Sequence, residues 1–143
     1  MHTTKSTLAD MRYVLSNLSD EFVDELDRGK FSREDVRRTM KSFIADSHSL
    51  TLWNDDGIIG MLGYQVVDGV ISTAFPSTPA FFAQDTARFG RKLMRGIQSE
   101  LGNLPIVSHS YSNNTRVEKW YRIIGYELQG VIGNRKVFRL FPK

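Results

Sequence analysis

The chain has 143 residues, of which 41% are hydrophobic and 24% are charged, a composition typical of a globular protein and not of a disordered one. A chain of this length suits one domain and buries roughly 68–70% of its unfolded surface, enough for a core without crosslinks. Because it has no cysteine, disulfides, thiolate catalysis and cysteine-ligated zinc are excluded, and a reducing compartment fits. No apolar run approaches the roughly 20 residues of a membrane span, so no span is expected.

The net charge of +3 conceals a division between the two halves of the chain. Residues 1–87 carry 8 Lys/Arg and 13 Asp/Glu, a net −5, whereas residues 88–143 carry 11 and 3, a net +8. The second half is therefore expected to attract an anion, which is a phosphorylated cofactor, a nucleic acid or the acidic half of another copy. The alternative is a solvated basic surface without a ligand.

Residues 1–48 are predicted to form helices that serve mainly as scaffold. Thr7 and Asp10 have the spacing of a capping box. Ser19 is expected to cap a second helix, and Ser32 opens a third. The acidic residues of the second helix are interpreted as a solvated face, with contact to a basic partner as the alternative: Asp20, Glu21, Asp24, Glu25 and Asp27.

Residues 49–143 are predicted to contain the sheet, a central helix and a carboxy-terminal block. Three antiparallel strands are expected at 49–53, 58–67 and 70–73, because apolar and polar residues alternate there between Asp-Gly turns. A long helix follows from Pro79 or Ala80 to Leu101, since apolar residues recur every four positions. The remaining elements are a strand at 105–110, a helix capped by Asn113 or Asn114 that ends near Gly125, and strands at 126–131 and 136–141. This order predicts a single α/β (α+β) domain with a mixed sheet flanked by helices.

The segment from Asn114 to Tyr126 carries the clearest functional signal. Tyr121 follows Asn114 by seven residues, and Gly125 and Tyr126 come four and five residues after that. This spacing resembles the last conserved block of the GCN5-related N-acyltransferase (GNAT) superfamily. The resemblance implies acetyl-CoA as cofactor, a helix beside its pantetheine arm, and a Tyr121 hydroxyl that protonates the leaving thiolate, for which a phenol with a pKa near 10 is suited. The alternative is that Tyr121 is a core aromatic residue with its hydroxyl at the rim.

The pyrophosphate turn of that family, Gln/Arg-x-x-Gly-x-Gly/Ala at a helix start, is only partly matched. Residues 85–90 keep Gly90, but Asp85 places an acid where Gln or Arg is expected and Arg88 replaces the first glycine. An acid there repels phosphate, and a long side chain hinders close approach of the backbone. Arg88 and Arg91 are candidates to hold phosphate by side-chain charge instead, with a solvated helix face as the alternative. The resemblance places the cofactor cleft near Phe75, Arg88, Gly90, Arg91 and Asn114.

A second resemblance extends from about residue 7 to residue 131. The run 9–20, the hairpin at 57–63 and the step Thr78-Pro79 precede the helix blocks in an order similar to that of the internal virion protein A group of short-tailed phages, itself acetyltransferase-like. It implies a phage product made in the host cytoplasm, and one that is packaged in the virion if it follows the group. Other phage or host proteins are then the expected partners.

Two further patterns are candidate sites: the histidines, and a basic stripe on the long helix. Strand alternation turns His109 away from Ser108 and Ser110, so these three form no triad, and a structural histidine is favoured over a catalytic base. The other histidines, His2 and His48, are isolated, and no metal site is predicted. A basic stripe on the long helix is the pattern that favours nucleic-acid binding, although no groove-reading motif accompanies it: Arg88, Arg91, Lys92 and Arg95.

These observations leave three hypotheses for function. The favoured one is a phage-encoded GNAT-fold protein with a degenerate phosphate loop that works in the virion or its morphogenesis through protein contacts. The first alternative is an active enzyme that moves acetyl from acetyl-CoA to a primary amine, with Tyr121 as general acid. The second alternative is a nucleic-acid-binding protein.

Overall fold

The chain forms one seven-stranded sheet with six helices packed against it. In the computed structural model, which describes residues 1–143, the strands are β1 His2–Lys5, β2 Ser49–Asn54, β3 Gly57–Val67, β4 Val70–Ala74, β5 Ile106–Ser110, β6 Glu127–Ile132 and β7 Arg135–Leu140. The helices are α1 Leu8–Ser16, α2 Asp20–Gly29, α3 Arg33–Ala45, α4 Pro79–Phe82, α5 Ala87–Glu100 and α6 Thr115–Ile124. The sheet order is β1-β2-β3-β4-β5-β7-β6, and only β4 and β5 are parallel. The predicted fold class is confirmed.

The helix starts follow the polar residues singled out in the sequence. The Thr7 hydroxyl accepts the Asp10 amide at 3.1 Å while the Asp10 carboxylate accepts the Thr7 amide, which completes the capping box of α1. Ser19 and Ser32 cap α2 and α3 through their hydroxyls. None of the helices has the length and apolarity needed to cross a membrane.

Two elements differ from the sequence-based prediction. Strand β1 was not predicted, since its residues are polar; it pairs with β2 along its whole length. The long helix predicted from Pro79 or Ala80 to Leu101 is wrong, because it is broken into α4 and α5. At the break the Asp85 carboxylate accepts the Ala87 amide at 3.1 Å, so a local turn replaces the continuous helical hydrogen bonds.

The strands β4 and β5 separate shortly after they begin. They pair only at Ile71 with Ile106 and at Ser72 with Val107, although each strand has five residues. Beyond these pairs the backbones are no longer hydrogen-bonded to one another, and the sheet opens into a V. This opening positions the candidate site.

Two apolar clusters hold the sheet between its helix layers. The larger one packs α5 and α6 against the sheet around Ile71, Ile106 and Phe138. The smaller one packs α1 and α3 on β3 and contains Met40, Phe43 and three further residues. In that cluster the Phe43 ring lies directly over Gly63, where no Cβ fits.

Gly63→Ala is expected to lower the free energy of unfolding by about 1–3 kcal/mol, because the added methyl overlaps the buried Phe43 ring. Gly96→Ala is the matched control, since a Cβ on this exposed helix position meets nothing. There the same substitution is expected to stabilise by about 0.5–1 kcal/mol through helix propensity. Denaturant unfolding of both variants checks the pair; equal effects would contradict the packing described for Gly63.

Candidate functional site

A cavity of about 330 Å³ lies at the opening between β4 and β5. Its walls come from α2 and α3 on one side and from α6 and the segment 75–82 on the other. The lining is mostly hydrophobic, and its polar groups cluster where β5 ends. A concave apolar site with few polar groups at a break in a sheet is a common form of ligand site.

Tyr121 reaches the wall of this cavity from α6. Its ring stacks on Phe138 with centroids 4.4 Å apart and meets Tyr126 edge-on at 5.1 Å. Burial, together with the nearby carboxylate of Glu25, raises the pKa of the Tyr121 hydroxyl well above its ordinary value of 10. The phenol is therefore protonated at neutral pH.

Phe75 also lines the cavity and packs edge-on against Phe81 at 4.7 Å. The other residues predicted to contact a cofactor lie outside it. Arg88 is exposed on α5, and the Arg91 guanidinium donates to the main-chain oxygen of Ile123. Cofactor binding by these side chains stays a prediction.

Gly90 and Asn114 have structural roles that their positions explain. A Cβ at Gly90 would lie 2.8 Å from Ile124 and 2.9 Å from Trp120, so this glycine allows α5 and α6 to approach closely. The Asn114 side chain accepts the Arg116 amide at 2.9 Å and caps α6, while Gly125 ends that helix with a φ of 115°. The predicted cap and helix end are confirmed.

At the amino-terminus of α5, where the family resemblance places the cofactor pyrophosphate, one amide is already bound within the chain. The Asp85 carboxylate accepts the first helical amide, that of Ala87. The Trp120 indole donates to the Thr86 hydroxyl at 3.1 Å and lies against Gly90. A void of about 10 Å³ lies between Gly90, Trp120 and the rings beside them.

A side-chain hydrogen bond crosses the opening of the sheet. The hydroxyls of Thr73 on β4 and Ser108 on β5 are 3.0 Å apart. Ser108 and Ser110 are buried while His109 between them is exposed, as alternation predicted. Partial desolvation and the charge of Arg135 lower the pKa of His109 below its ordinary value.

Glu25 was predicted to lie on a solvated helix face, but its carboxylate is bound at the end of β5. One carboxylate oxygen accepts the Ser110 hydroxyl at 2.5 Å and the other accepts the Tyr111 amide at 2.7 Å. Phe22 could have revealed this role, because Glu25 follows it by three residues and both line the cavity. Burial raises the pKa of Glu25 above 4.5, although these hydrogen bonds lower it in part.

The charged residues that line the cavity are all acidic, although the net charge of the chain is positive. Its lining contains three acidic residues and neither lysine nor arginine. Glu21 is paired with Arg116 at 2.8 Å and Asp35 with Arg38 at 2.7 Å. Glu25 therefore carries the one lining charge that has no cationic partner.

Comparison with solved structures identifies the architecture. PaiA N-acetyltransferase from Thermoplasma acidophilum, in complex with coenzyme A, superimposes with a TM-score of 0.73 at 13% identity over 98% of both chains. An acetyltransferase of the GNAT family from Bacillus anthracis matches with a TM-score of 0.70 at 15% identity over 97% of this chain and 93% of the other. This chain has the GNAT fold.

Spermidine N-acetyltransferase from Vibrio cholerae, in complex with CoA and spermine, shares the GNAT fold with a TM-score of 0.65 at 13% identity over 96% of this chain and 92% of that one. No protein-family model and no curated protein matches the sequence. The resemblance to the phage internal virion protein A group has no support from these comparisons and stays a prediction.

The basic stripe of α5 is partly used within the GNAT fold. The Arg95 guanidinium donates to the Phe141 main-chain oxygen at 2.6 Å and to Gln98 at 2.9 Å. Arg91 is bound to a main-chain oxygen at the end of α6. Arg91 and Arg95 therefore connect α5 to neighbouring segments by hydrogen bonds. Only Arg88 and Lys92 of the stripe stay available to a nucleic acid.

Arg95→Ala is expected to lower the free energy of unfolding by about 1–3 kcal/mol, because it removes two hydrogen bonds and leaves carbonyl groups without a donor. Arg88→Ala, which removes an exposed arginine from the same helix, is expected to change it by less than about 0.5 kcal/mol. Urea unfolding measures both. Similar losses in the two variants would show that Arg95 has no special structural role.

Glu25→Gln is expected to alter how stability depends on pH. The pKa of Glu25 is raised in the folded state. The contribution of Glu25 to the free energy of unfolding is therefore fully present below about pH 4.5 and is lost as the pH rises through the folded-state pKa. Relative to Glu25→Gln, wild type should therefore become less stable between acidic and neutral pH. Urea unfolding over this range measures the difference, and Asp27→Asn on the same helix corrects for the loss of one negative charge. A difference that stays constant with pH would contradict the raised pKa.

Proposed function

We propose that this chain is a GNAT-fold protein that does not transfer acetyl groups and that acts by contacting another protein, as a virion or morphogenesis component of a phage. The phage setting rests on the sequence resemblance over residues 7–131. On this proposal the chain is made in the host cytoplasm and packaged with the particle. The loss of acetyl transfer rests on the Asp85 carboxylate at the amino-terminus of α5 and on the packing of Trp120 beside this helix.

The charge at that helix end opposes a phosphate ligand. A helix amino-terminus binds anions because its free amides and its dipole present positive charge. Here the Asp85 carboxylate already accepts the Ala87 amide, so an incoming pyrophosphate meets a negative group at this position. Arg91 is not directed at this position, since it is bound to a carbonyl of α6, and Arg88 in the first turn of α5 is exposed.

The packing of Trp120 beside α5 also supports the loss of pantetheine binding. Trp120 is fixed by its hydrogen bond to Thr86 and packs on Phe81 with ring centroids 5.6 Å apart. The remaining volume of about 10 Å³ holds roughly one water molecule. Further along, the Thr73–Ser108 hydrogen bond joins the separated strands. The residues present therefore do not fit acetyl-CoA, and no reaction step is assigned to it.

Acetyl transfer remains the competing function because of two observations. Structures with the same fold are complexes with coenzyme A, and Tyr121 lines the cavity as a general acid would. On this alternative the acceptor is a primary amine, and Arg88 and Arg91 replace the missing amides at the phosphates. The binding of acetyl-CoA separates the two functions.

Acetyl-CoA at millimolar concentration is expected to leave the thermal unfolding midpoint unchanged. A ligand present at 100 times its dissociation constant would stabilise the fold by about 2.7 kcal/mol, a shift of several degrees for a chain of this size. Differential scanning fluorimetry and calorimetric titration provide the measurements.

A saturable rise in the midpoint would overturn the proposal. In that case Arg88→Ala should weaken the response, and Tyr121→Phe should slow thiol release more than it weakens binding. Arg12→Ala, which removes an exposed arginine of α1, is the control for a general loss of positive charge.

A further inference from the structure

We propose that the cavity receives an arginine side chain of a partner polypeptide, with Glu25 as the counter-ion of its guanidinium. This inference rests on the proposed function, because it names what the protein contacts recognise. It concerns the side of the cavity formed by α2 and the end of β5, away from the amino-terminus of α5.

Charge complementarity is the first observation that favours this occupant. Glu21 and Asp35 have arginine partners within the chain, whereas Glu25 has none. A carboxylate that is largely removed from water without a cation is destabilised, as the raised pKa of Glu25 reflects. A cation in the cavity would remove this penalty.

The orientation of the Glu25 carboxylate is fixed before any ligand arrives. Ser110 and Tyr111 each donate to one of its oxygens, at 2.5 and 2.7 Å. A carboxylate offers about four lone-pair positions, so each oxygen can still accept one more donor. The two donors of a guanidinium edge match this arrangement in the bidentate geometry that arginine forms with carboxylates.

Aromatic rings around the carboxylate favour arginine over lysine. Phe31 and Tyr111, both in the lining, form an edge-to-face pair with centroids 5.7 Å apart. A planar guanidinium stacks on such rings and is more weakly hydrated than an ammonium, so its transfer into an apolar cavity costs less. A volume of about 330 Å³ suits one such side chain with a flanking apolar residue.

The rim of the cavity already shows the same recognition within the chain. Arg116 donates to Glu21 at 2.8 Å, and its guanidinium carbon lies 5.8 Å from the centroid of the Phe82 ring. This rim site combines a carboxylate with an aromatic face, as the Glu25 site does. The difference is that the cation of the rim site comes from the chain itself.

The test uses the full chain and the pentapeptide acetyl-Gly-Leu-Arg-Leu-Gly-amide. Its matched control replaces arginine with citrulline, which has nearly the same shape and no charge. Binding is followed by calorimetric titration and by the fluorescence of Trp120, which lines the cavity. The arginine peptide is expected to bind at least ten-fold more tightly than the citrulline peptide. Equal affinities, or no saturable binding up to millimolar peptide, would overturn the proposal.

Two variants assign the effect to the cavity. Glu25→Gln is expected to abolish the preference for arginine over citrulline, whereas Asp27→Asn, an exposed carboxylate on the same helix, is expected to keep it. Thermal unfolding of both variants verifies the fold. Loss of the preference in Asp27→Asn to the same extent would indicate a general effect of charge and contradict the assignment to Glu25.

Two further titrations use the same peptide with lysine in place of arginine, and acetyl-CoA. Equal binding of lysine and arginine peptides would overturn the choice of guanidinium. If neither the arginine peptide nor acetyl-CoA binds, the arginine inference fails while the proposed loss of acetyl transfer stands. If acetyl-CoA binds, the proposed function itself fails, whatever the peptide does.

Discussion

The separation of β4 from β5 is the constraint on which the remaining structure depends. Two strands that begin as a parallel pair at Ile71 and Ile106 lose contact after one further pair, so the backbone groups beyond it need other partners. Side chains supply part of the connection, through the hydroxyls of Thr73 and Ser108. The cavity exists because the sheet is not closed at this point.

Helix α6 determines what that opening can accept. Its capping residue Asn114 and its terminal Gly125 fix where the helix starts and stops, and this sets Tyr121 and Trp120 at neighbouring positions along the wall. Tyr121 lines the larger cavity, whereas Trp120 also fills the gap beside α5. Helix α6 therefore lines an open cavity on the side of α2 and fills most of the space on the side of α5.

Local signals in the sequence were sufficient for most of the fold. Capping residues such as Thr7, Ser32 and Asn114 mark helix starts because their side chains satisfy amides a few residues away. Strand β1 lacks such a signal, since its polar residues are held by pairing with β2, which lies more than 40 residues further along. The break between α4 and α5 lies within an otherwise helical pattern, and only the structure shows that the Asp85 carboxylate accepts the Ala87 amide there.

The candidate site was less predictable, because its defining contacts join distant parts of the chain. Tyr121 and Phe75 were found through a family pattern, and both line the cavity. The role of Glu25 depends on Ser110 and Tyr111, which no periodicity relates to α2. The charge of Arg91 predicts a phosphate ligand. Its guanidinium instead donates to a main-chain oxygen, which only the tertiary structure brings close.

The contacts that join α2 to the end of β5 also bear on how the chain is made. Glu25 and Ser110 are 85 residues apart, and Glu21 and Arg116 are 95 apart. During synthesis the acidic amino-terminal helices leave the ribosome several seconds before the basic residues that complete this wall, at roughly 5–20 residues per second. The cavity is thus among the last features to form. A nascent chain that ends before β5 exposes the acidic helix α2 without the residues that complete the cavity wall.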